Sequence, residues 1–346
     1  MPVIGAKAMT LRDLASGLRA DNKFDHDIVD LMAQSNEILD DIPFTEANDG
    51  TSDLTTIRTG LPSVSWNSHY EGTQASKGQK QQVVNGSGHM SSLLEIDKRL
   101  LDSGDEAVRN AQIEDEVSAH LEAMGQDAAT AIFYGDIKSE ARKINGLGII
   151  YSKIGGHVAD ANVSTHYVFN GSMSVPAVGA ADLRSIWLLN WGRSTMRGFY
   201  PQGSGGGIKR GAFKDAWVND ENGNPYEVKR QLFGWDIGLA VRDYRYGGRI
   251  ANIQVNNMLA TSGQPEYLEL INRLKGRVRI SPNAKRVWYM PRLVWENLEI
   301  LFGRATRSNA IKYEDVDQRL AVARLFGYPV RLTDALDVNE VPVPLV

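Results

Sequence analysis

The segment Gly203-Ser204-Gly205-Gly206-Gly207-Ile208-Lys209 comes nearest to a chemical motif, because the N–H groups of a glycine-rich loop ahead of a lysine can cradle a phosphate. It fails on spacing. A phosphate loop needs glycine directly before its lysine and serine or threonine directly after, and Ile208 and Arg210 stand there, so a flexible surface loop is expected. The six histidines, His26, His69, His89, His120, His157 and His166, show no metal-ligand spacing. The run Arg242 to Arg249 (RDYRYGGR) interleaves arginine with tyrosine as nucleic-acid surfaces do. In a chain of net charge -4 and pI near 5.9, a salt-bridge strip within or between subunits is the better expectation. No G-x-G-x-x-G or G-x-S-x-G pattern occurs. The absence of cysteine excludes thiol nucleophiles, iron–sulfur clusters and disulfides. No catalytic, cofactor-binding or metal-ligating residue is assigned, an inventory that favours a structural protein over an enzyme.

Behind these residues stand elements with clear periodicity. Residues 1–50 read as an arm with short helices after Thr10 and from Asp27 to Leu39, the second stopped by Pro43. From about Asp105 to Phe133, Ile113, Val117, Leu121, Met124, Ala128 and Ala131 recur at spacings of three and four, which predicts one long helix with an apolar stripe and acidic remaining faces. Ser103 and Glu106 fit a capping box at its start, and Gly135 suits its end. Gly146 and Gly148 punctuate the entry to a following strand. Strands are predicted at Ser185–Trp191, Lys214–Val218, Tyr226–Asp243, Arg249–Val255 and Arg286–Met290. Helices are predicted at Pro265–Lys275 and Pro291–Ala305, with a further amphipathic run at Asp315–Phe326. Helices and strands mix without a βαβ rhythm, so the fold class is α+β.

The segment from Thr51 to Asp97 has strand-like flanks and little to place in a core. Val64 and Trp66 alternate with polar residues on the way in, Val83 and Val84 follow on the way out, and Gly72 to Gln82 contains no apolar residue larger than Ala75. A two-stranded hairpin alone is marginal in water, so the segment reads either as an arm lying on a neighbouring subunit or as a disordered loop.

The chain of 346 residues, 42% hydrophobic, is long enough for about two domains, and it has no run of about 18 apolar residues and no start resembling a secretion signal. Charge is unevenly spread. Residues 1–140 carry 11 Lys/Arg against 24 Asp/Glu, and residues 141–346 carry 27 against 18. The two parts either neutralise each other within one chain or meet head to tail between copies.

The order of parts resembles the major capsid proteins of tailed bacteriophages with the Hong Kong 97 capsid fold. The likeness is strongest to a group from short-tailed and related phages with an LP-x-V-x-W hairpin, here Leu61, Pro62, Val64 and Trp66. That group also carries S-I-W-L-x-N-W, here Ser185 to Trp191, and G-L-A-V-R-D-x-R-Y, here Gly238 to Tyr246. The Gly135-Asp136 pair ahead of Gly146-Leu147, and the closing GYPVRLTDAL from Gly327 to Leu336, resemble the same family. The resemblance implies an N-terminal arm at 1–50, an extended β-hairpin loop at 51–92, the spine helix and start of a peripheral domain at 93–145, and axial plus remaining peripheral domains at 146–346. An insertion is expected at 192–226, with a permuted strand order as the alternative to the family's own. It further implies self-assembly into hexamers and pentamers of an icosahedral virion shell around double-stranded DNA, touched non-specifically on the inner face. Scaffolding, portal and decoration proteins are the implied partners, with assembly in the host cytoplasm and no membrane. Some such shells weld subunits through a Lys–Asn bond; Lys77 and Lys80 are placed on the hairpin tip, but no motif identifies an asparagine partner. Two readings from other classes compete: a hydrolase or transferase with a mobile lid at residues 51–90, and a DNA-binding structural protein using the basic C-terminal part.

Overall fold

The computed structural model describes residues 36–101, 106–156, 164–177, 179–220, 222–260, 266–304, 311–317 and 320–346. The helix after Thr10, most of Asp27–Leu39, and the capping box at Ser103 lie outside them.

The sheet is organised around β5 (Leu183–Trp191), whose sequence LRSIWLLNW is almost continuously apolar and buried. Such a run, rather than an alternating one, marks a strand covered on both faces. β10 (Gly247–Gln254) and β11 (Lys285–Met290) flank it antiparallel, and β14 (Tyr328–Leu332) runs parallel to β11. On one face lies α3 (Glu106–Tyr134), whose Phe133 ring sits 5.9 Å from Trp187 and 6.1 Å from Tyr289. On the other lies α5 (Tyr267–Arg277), so close to β10 that a Cβ on Gly248 would collide with Leu274 and Val278. Trp187, Trp191, Trp288 and Tyr289 are fully buried between these layers.

From β5 the sheet continues through β6 (Met196–Tyr200) to β9 (Pro225–Val241), β3 (Gln79–Asp97) and finally β2 (Ser52–Gly60). Short β1 (Phe44–Glu46) runs parallel to β6, β4 (Val168–Asn170) lies on β10, and β7 (Lys209–Arg210) and β8 (Lys214–Asn219) lie on β9. A short helix, α2 (Lys98–Leu101), follows β3, and the long helix crosses β3 and β9. Val117, Met124, Ala128 and Ala131 are buried, and Ile113 and Leu121 pack against the core, as the spacing requires. His120 joins this packing: its ring stacks 5.7 Å from Phe233 and its Nδ1 is 2.5 Å from the Ser92 hydroxyl.

Three expectations are corrected. The run Asp315–Phe326 is no helix: β12 (Ile311–Asp317) and β13 (Leu320–Leu325) form an antiparallel hairpin extending the sheet beyond β14. The run Leu320-Ala321-Val322-Ala323 carries neither period clearly, and the antiparallel partner Ile311–Asp317 decides for the strand. Phe326 and Gly327, both at positive φ (52° and 88°), close the turn into β14, as a two-residue hairpin loop demands. Second, Gly146 opens not a strand but α4 (Leu147–Ile150), folded under the end of the long helix. A Cβ at Gly146 would lie 2.7 Å from the Gly135 nitrogen, so glycine permits this close return. Third, the arms of the first hairpin are β2 and β3, and residues 61–78, with Val64 and Trp66, form the loop between them. The β-branched run Thr55-Thr56-Ile57 sustains β2, and Pro62, lacking an N–H, cannot extend the ladder. Lys80 therefore sits in β3 directly opposite Arg58, and Lys77 alone of the two lies in the loop.

Candidate assembly interface

β3 changes partner midway. Its residues Ser87 to Asp97 pair with β9, while Gln79 to Gly86 pair only with β2, so a single 19-residue strand leaves the body as one leg of a hairpin. The root is held by buried charge. Asp53, fully buried, accepts from Arg197 Nη2 at 2.5 Å, and Arg242 Nη2 stands 3.6 Å away. Nearby, the Ser87 hydroxyl donates to the Thr51 carbonyl at 2.7 Å, and Asn48 both accepts from the Leu54 N–H (2.7 Å) and donates to its carbonyl (2.8 Å). A buried carboxylate in this position is tolerable only because two guanidiniums face it.

The loop beyond is arranged by its own polar groups. The Ser68 N–H donates to Glu71 Oε2 at 3.0 Å, the Ser76 hydroxyl donates to the Ser63 carbonyl at 3.1 Å, and the Asn67 amide donates to the Thr73 hydroxyl. These bonds leave every large apolar side chain outside: Leu61 is 79% exposed, Val64 89%, and Trp66 and Tyr70 completely. Four such residues in ten, with no cover, are the signature of a contact surface.

Between the β2 shaft and the turn Arg242–Arg245 is a groove of about 820 Å³ lined by Thr56, Ile57, Arg58, Leu61, Gln81, Tyr244 and the two arginines. Asp243, also in its wall, is clasped by Arg245 through both carboxylate oxygens (2.9 and 2.6 Å). Burial pushes the Asp243 carboxyl up, but the Arg245 guanidinium and N–H outweigh it and hold the group below the usual carboxylate range.

Two further networks tie the chain ends to the body. Buried Asp41, at the end of α1 (Ile38–Asp41), accepts from the Tyr289 hydroxyl at 2.6 Å and pairs with Lys285, while Trp191 Nε1 donates to the same hydroxyl at 2.8 Å. Burial, and then the Asp41 carboxylate, drive the Tyr289 pKa well up. Near the C-terminus, Glu340 accepts from Arg249 Nη2 (2.7 Å), the Ser185 hydroxyl (2.5 Å) and the Tyr134 hydroxyl (2.5 Å).

The arginine–tyrosine run is thus an internal salt-bridge strip: Arg242 faces Asp53, Arg245 holds Asp243, and Arg249 is buried on Glu340. The Gly203–Lys209 loop binds within the protein too. Glycines 203, 205 and 207 are at positive φ, the Gly203 N–H donates to Glu46, and Lys209 reaches Asp236. His89 completes that pair at 2.7 Å from Asp236, His69 lies on the exposed loop, and His26 and His157 fall outside the described residues. Among the described residues, no three His, Asp or Glu side chains are grouped to hold a metal ion, and no helix is long and apolar enough to cross a membrane. Acid from the first part meets base from the second within the chain, in Asp41–Lys285, Asp53–Arg197, Glu95–Arg230 and Glu114–Arg210.

A sheet with helices on both faces, a long helix lying across it and a projecting hairpin with an apolar tip are the parts expected of the Hong Kong 97 type of capsid fold. A solved structure of bacteriophage Epsilon15 superposes over 100% of both chains with a TM-score of 0.78 at 24% identity. A bacteriophage JBD30 capsid structure aligns over 95% of this chain and 100% of its own, with a TM-score of 0.48 at 10% identity. No curated relative matches. Residues 20–344 match the family model described as major capsid protein GP7, and the chain belongs to that family of phage major capsid proteins.

Proposed function

We propose that many copies of this chain close into an icosahedral shell around packaged double-stranded DNA, with the hairpin of each copy resting on a neighbour. The observation that carries this reading is the tip: Leu61, Val64, Trp66 and Tyr70 stand in solvent on a shaft whose root is fixed by buried ion pairs. A surface of this kind in a single copy is a cost, and a second copy removes it. In this reading residues 1–50 form an arm, 51–92 the extended loop, 93–145 the spine helix with the start of the peripheral domain, and 146–346 the axial and remaining peripheral parts with an insertion at 192–226. The role is structural rather than catalytic; assembly takes place in the host cytoplasm, with scaffolding, portal and decoration proteins as partners. Contacts that are individually weak hold a closed shell by their number.

The test replaces residues 62–77 with an Asn-Gly turn, which keeps the β2–β3 ladder intact. The expected product is a folded monomer of unchanged melting temperature that forms no shells by sedimentation or electron microscopy. Normal shells from it would remove the intersubunit role.

A further inference from the structure

The chain carries both an exposed aromatic tip and a concave site, and their chemistries match. The groove beside β2 presents Arg58, Arg242 and Arg245 against the single lining carboxylate Asp243, with Asp53 buried behind Arg242. Its apolar wall is Ile57, Leu61 and the Tyr244 ring. Arg58 is the anomaly. It lies directly across the ladder from Lys80, and like charges facing each other on a hairpin are unfavourable unless an anion is near. The loop of the same chain offers what is missing: two fully exposed aromatic rings, Trp66 and Tyr70, and Glu71, the one carboxylate between Thr59 and Ser76. Guanidinium groups stack on indole and phenol faces and take carboxylates through paired hydrogen bonds. Trp, Tyr and Arg are also the residues that dominate binding energy at protein interfaces.

We propose that the tip of one copy, led by Trp66 and Tyr70, docks into the groove between β2 and the Arg242–Arg245 turn of a second copy, with Glu71 meeting Arg58. The contact is heterologous, tip to groove, so each copy gives one and receives one, and repetition closes a ring. This rests on the reading that the hairpin docks on a neighbour and specifies where it lands.

The chain has no cysteine, so Thr59→Cys in the groove and Ser65→Cys in the tip each create a unique thiol. Shells co-assembled from the two variants and treated with a short bismaleimide are expected to give covalent dimers at least tenfold above shells of either variant alone. Adding Trp66→Ala to the Ser65→Cys chain is expected to lower that yield at least fivefold. Dimers no more abundant in the mixture than in the separate shells overturn the proposal. Should the cysteine variants not assemble, Arg58→Glu is read instead. Shell yield should fall at least tenfold and recover in the Arg58→Glu/Glu71→Arg pair, and absence of recovery overturns the proposal equally. If the chain with the Asn-Gly turn forms no shells while the cross-link is absent, only the landing site is wrong; normal shells from that chain remove the hairpin reading itself.

Discussion

Tryptophan occupies opposite situations at the two ends of this molecule. Trp187 and Trp288 are sealed in the β5–β11 core, with Phe133 and Tyr289 among their neighbours, whereas Trp66 has its whole surface in solvent at the end of a hairpin. The same side chain therefore does two kinds of physical work. In the core its burial stabilises one copy; at the tip it contributes nothing to the fold of that copy. In the proposed function, fold stability and assembly are thus written in separate regions, joined by β3.

The strongest test of that separation is Trp288→Ala against Trp66→Ala. Truncating a buried tryptophan costs about 3–5 kcal/mol, a large share of a domain's stability, so the melting temperature of the unassembled subunit should fall sharply for Trp288→Ala. Trp66→Ala should leave it unchanged and impair shell formation instead. Equal melting shifts would dissolve the distinction. At the root, Asp53→Ala strips the carboxylate from buried Arg197 and half-buried Arg242, a change that costs about 3–5 kcal/mol when a buried pair is broken. Urea titration should register it, and hydrogen exchange should rise along β2 before the body. Along the long helix, Met124→Ala should cost about 2–5 kcal/mol if that face packs on the sheet, while Asp127→Ala, one turn on and exposed, should stay within about 0.5 kcal/mol.

Smaller effects come from charge. Asp236 is lowered because His89 and Lys209 outweigh the opposing effect of its burial, and Asp243 is lowered in the same sense by Arg245. A depressed carboxyl contributes stability that is fully present above its unfolded pKa, about 3.9, and is lost as pH falls through the lower folded value. Asp243→Asn should therefore flatten the loss of stability below about pH 4, measured by denaturant midpoints, and leave its slope near pH 7 unchanged. Exposed pairs such as Arg210–Glu114 contribute least, about 0–1 kcal/mol each and less at high salt. With Glu71 meeting Arg58 between copies as proposed, shell yield should decline gradually with ionic strength, and a yield indifferent to salt would assign assembly to the apolar tip alone.

How far the sequence revealed this arrangement depends on whether a signal was local. The long helix was legible because Ile113, Val117, Leu121 and Met124 repeat with its period. β5 was legible from an apolar run that only a doubly covered strand needs, and the hairpin from a stretch that had nothing to bury. The boundaries of that hairpin were not legible, since Val64 and Trp66 alternate like a strand yet have no neighbour to pair with. The β12–β13 hairpin was missed because short amphipathic runs satisfy either period until a partner strand decides. That Arg242, Arg245 and Arg249 belong to a salt-bridge strip was legible, and Arg245 holds Asp243 only two residues away. The partners of the other two, Asp53 and Glu340, were not, because they lie far away in the chain and a long-range ion pair leaves no trace in local composition.

The partner switch along β3 has a mechanical consequence. Beyond Gly86 its eight residues and those of β2 make a ribbon about 26 Å long, anchored on one side only. A ribbon one ladder thick resists stretching, because its two covalent chains lie along the pull while the ladder hydrogen bonds run across it, but it twists and bows out of plane with little resistance. The hairpin therefore behaves as a strap of fixed reach and adjustable angle. In the proposed contact, a neighbour held by its tip stays at constant distance while the surface between the two bodies flattens or curves.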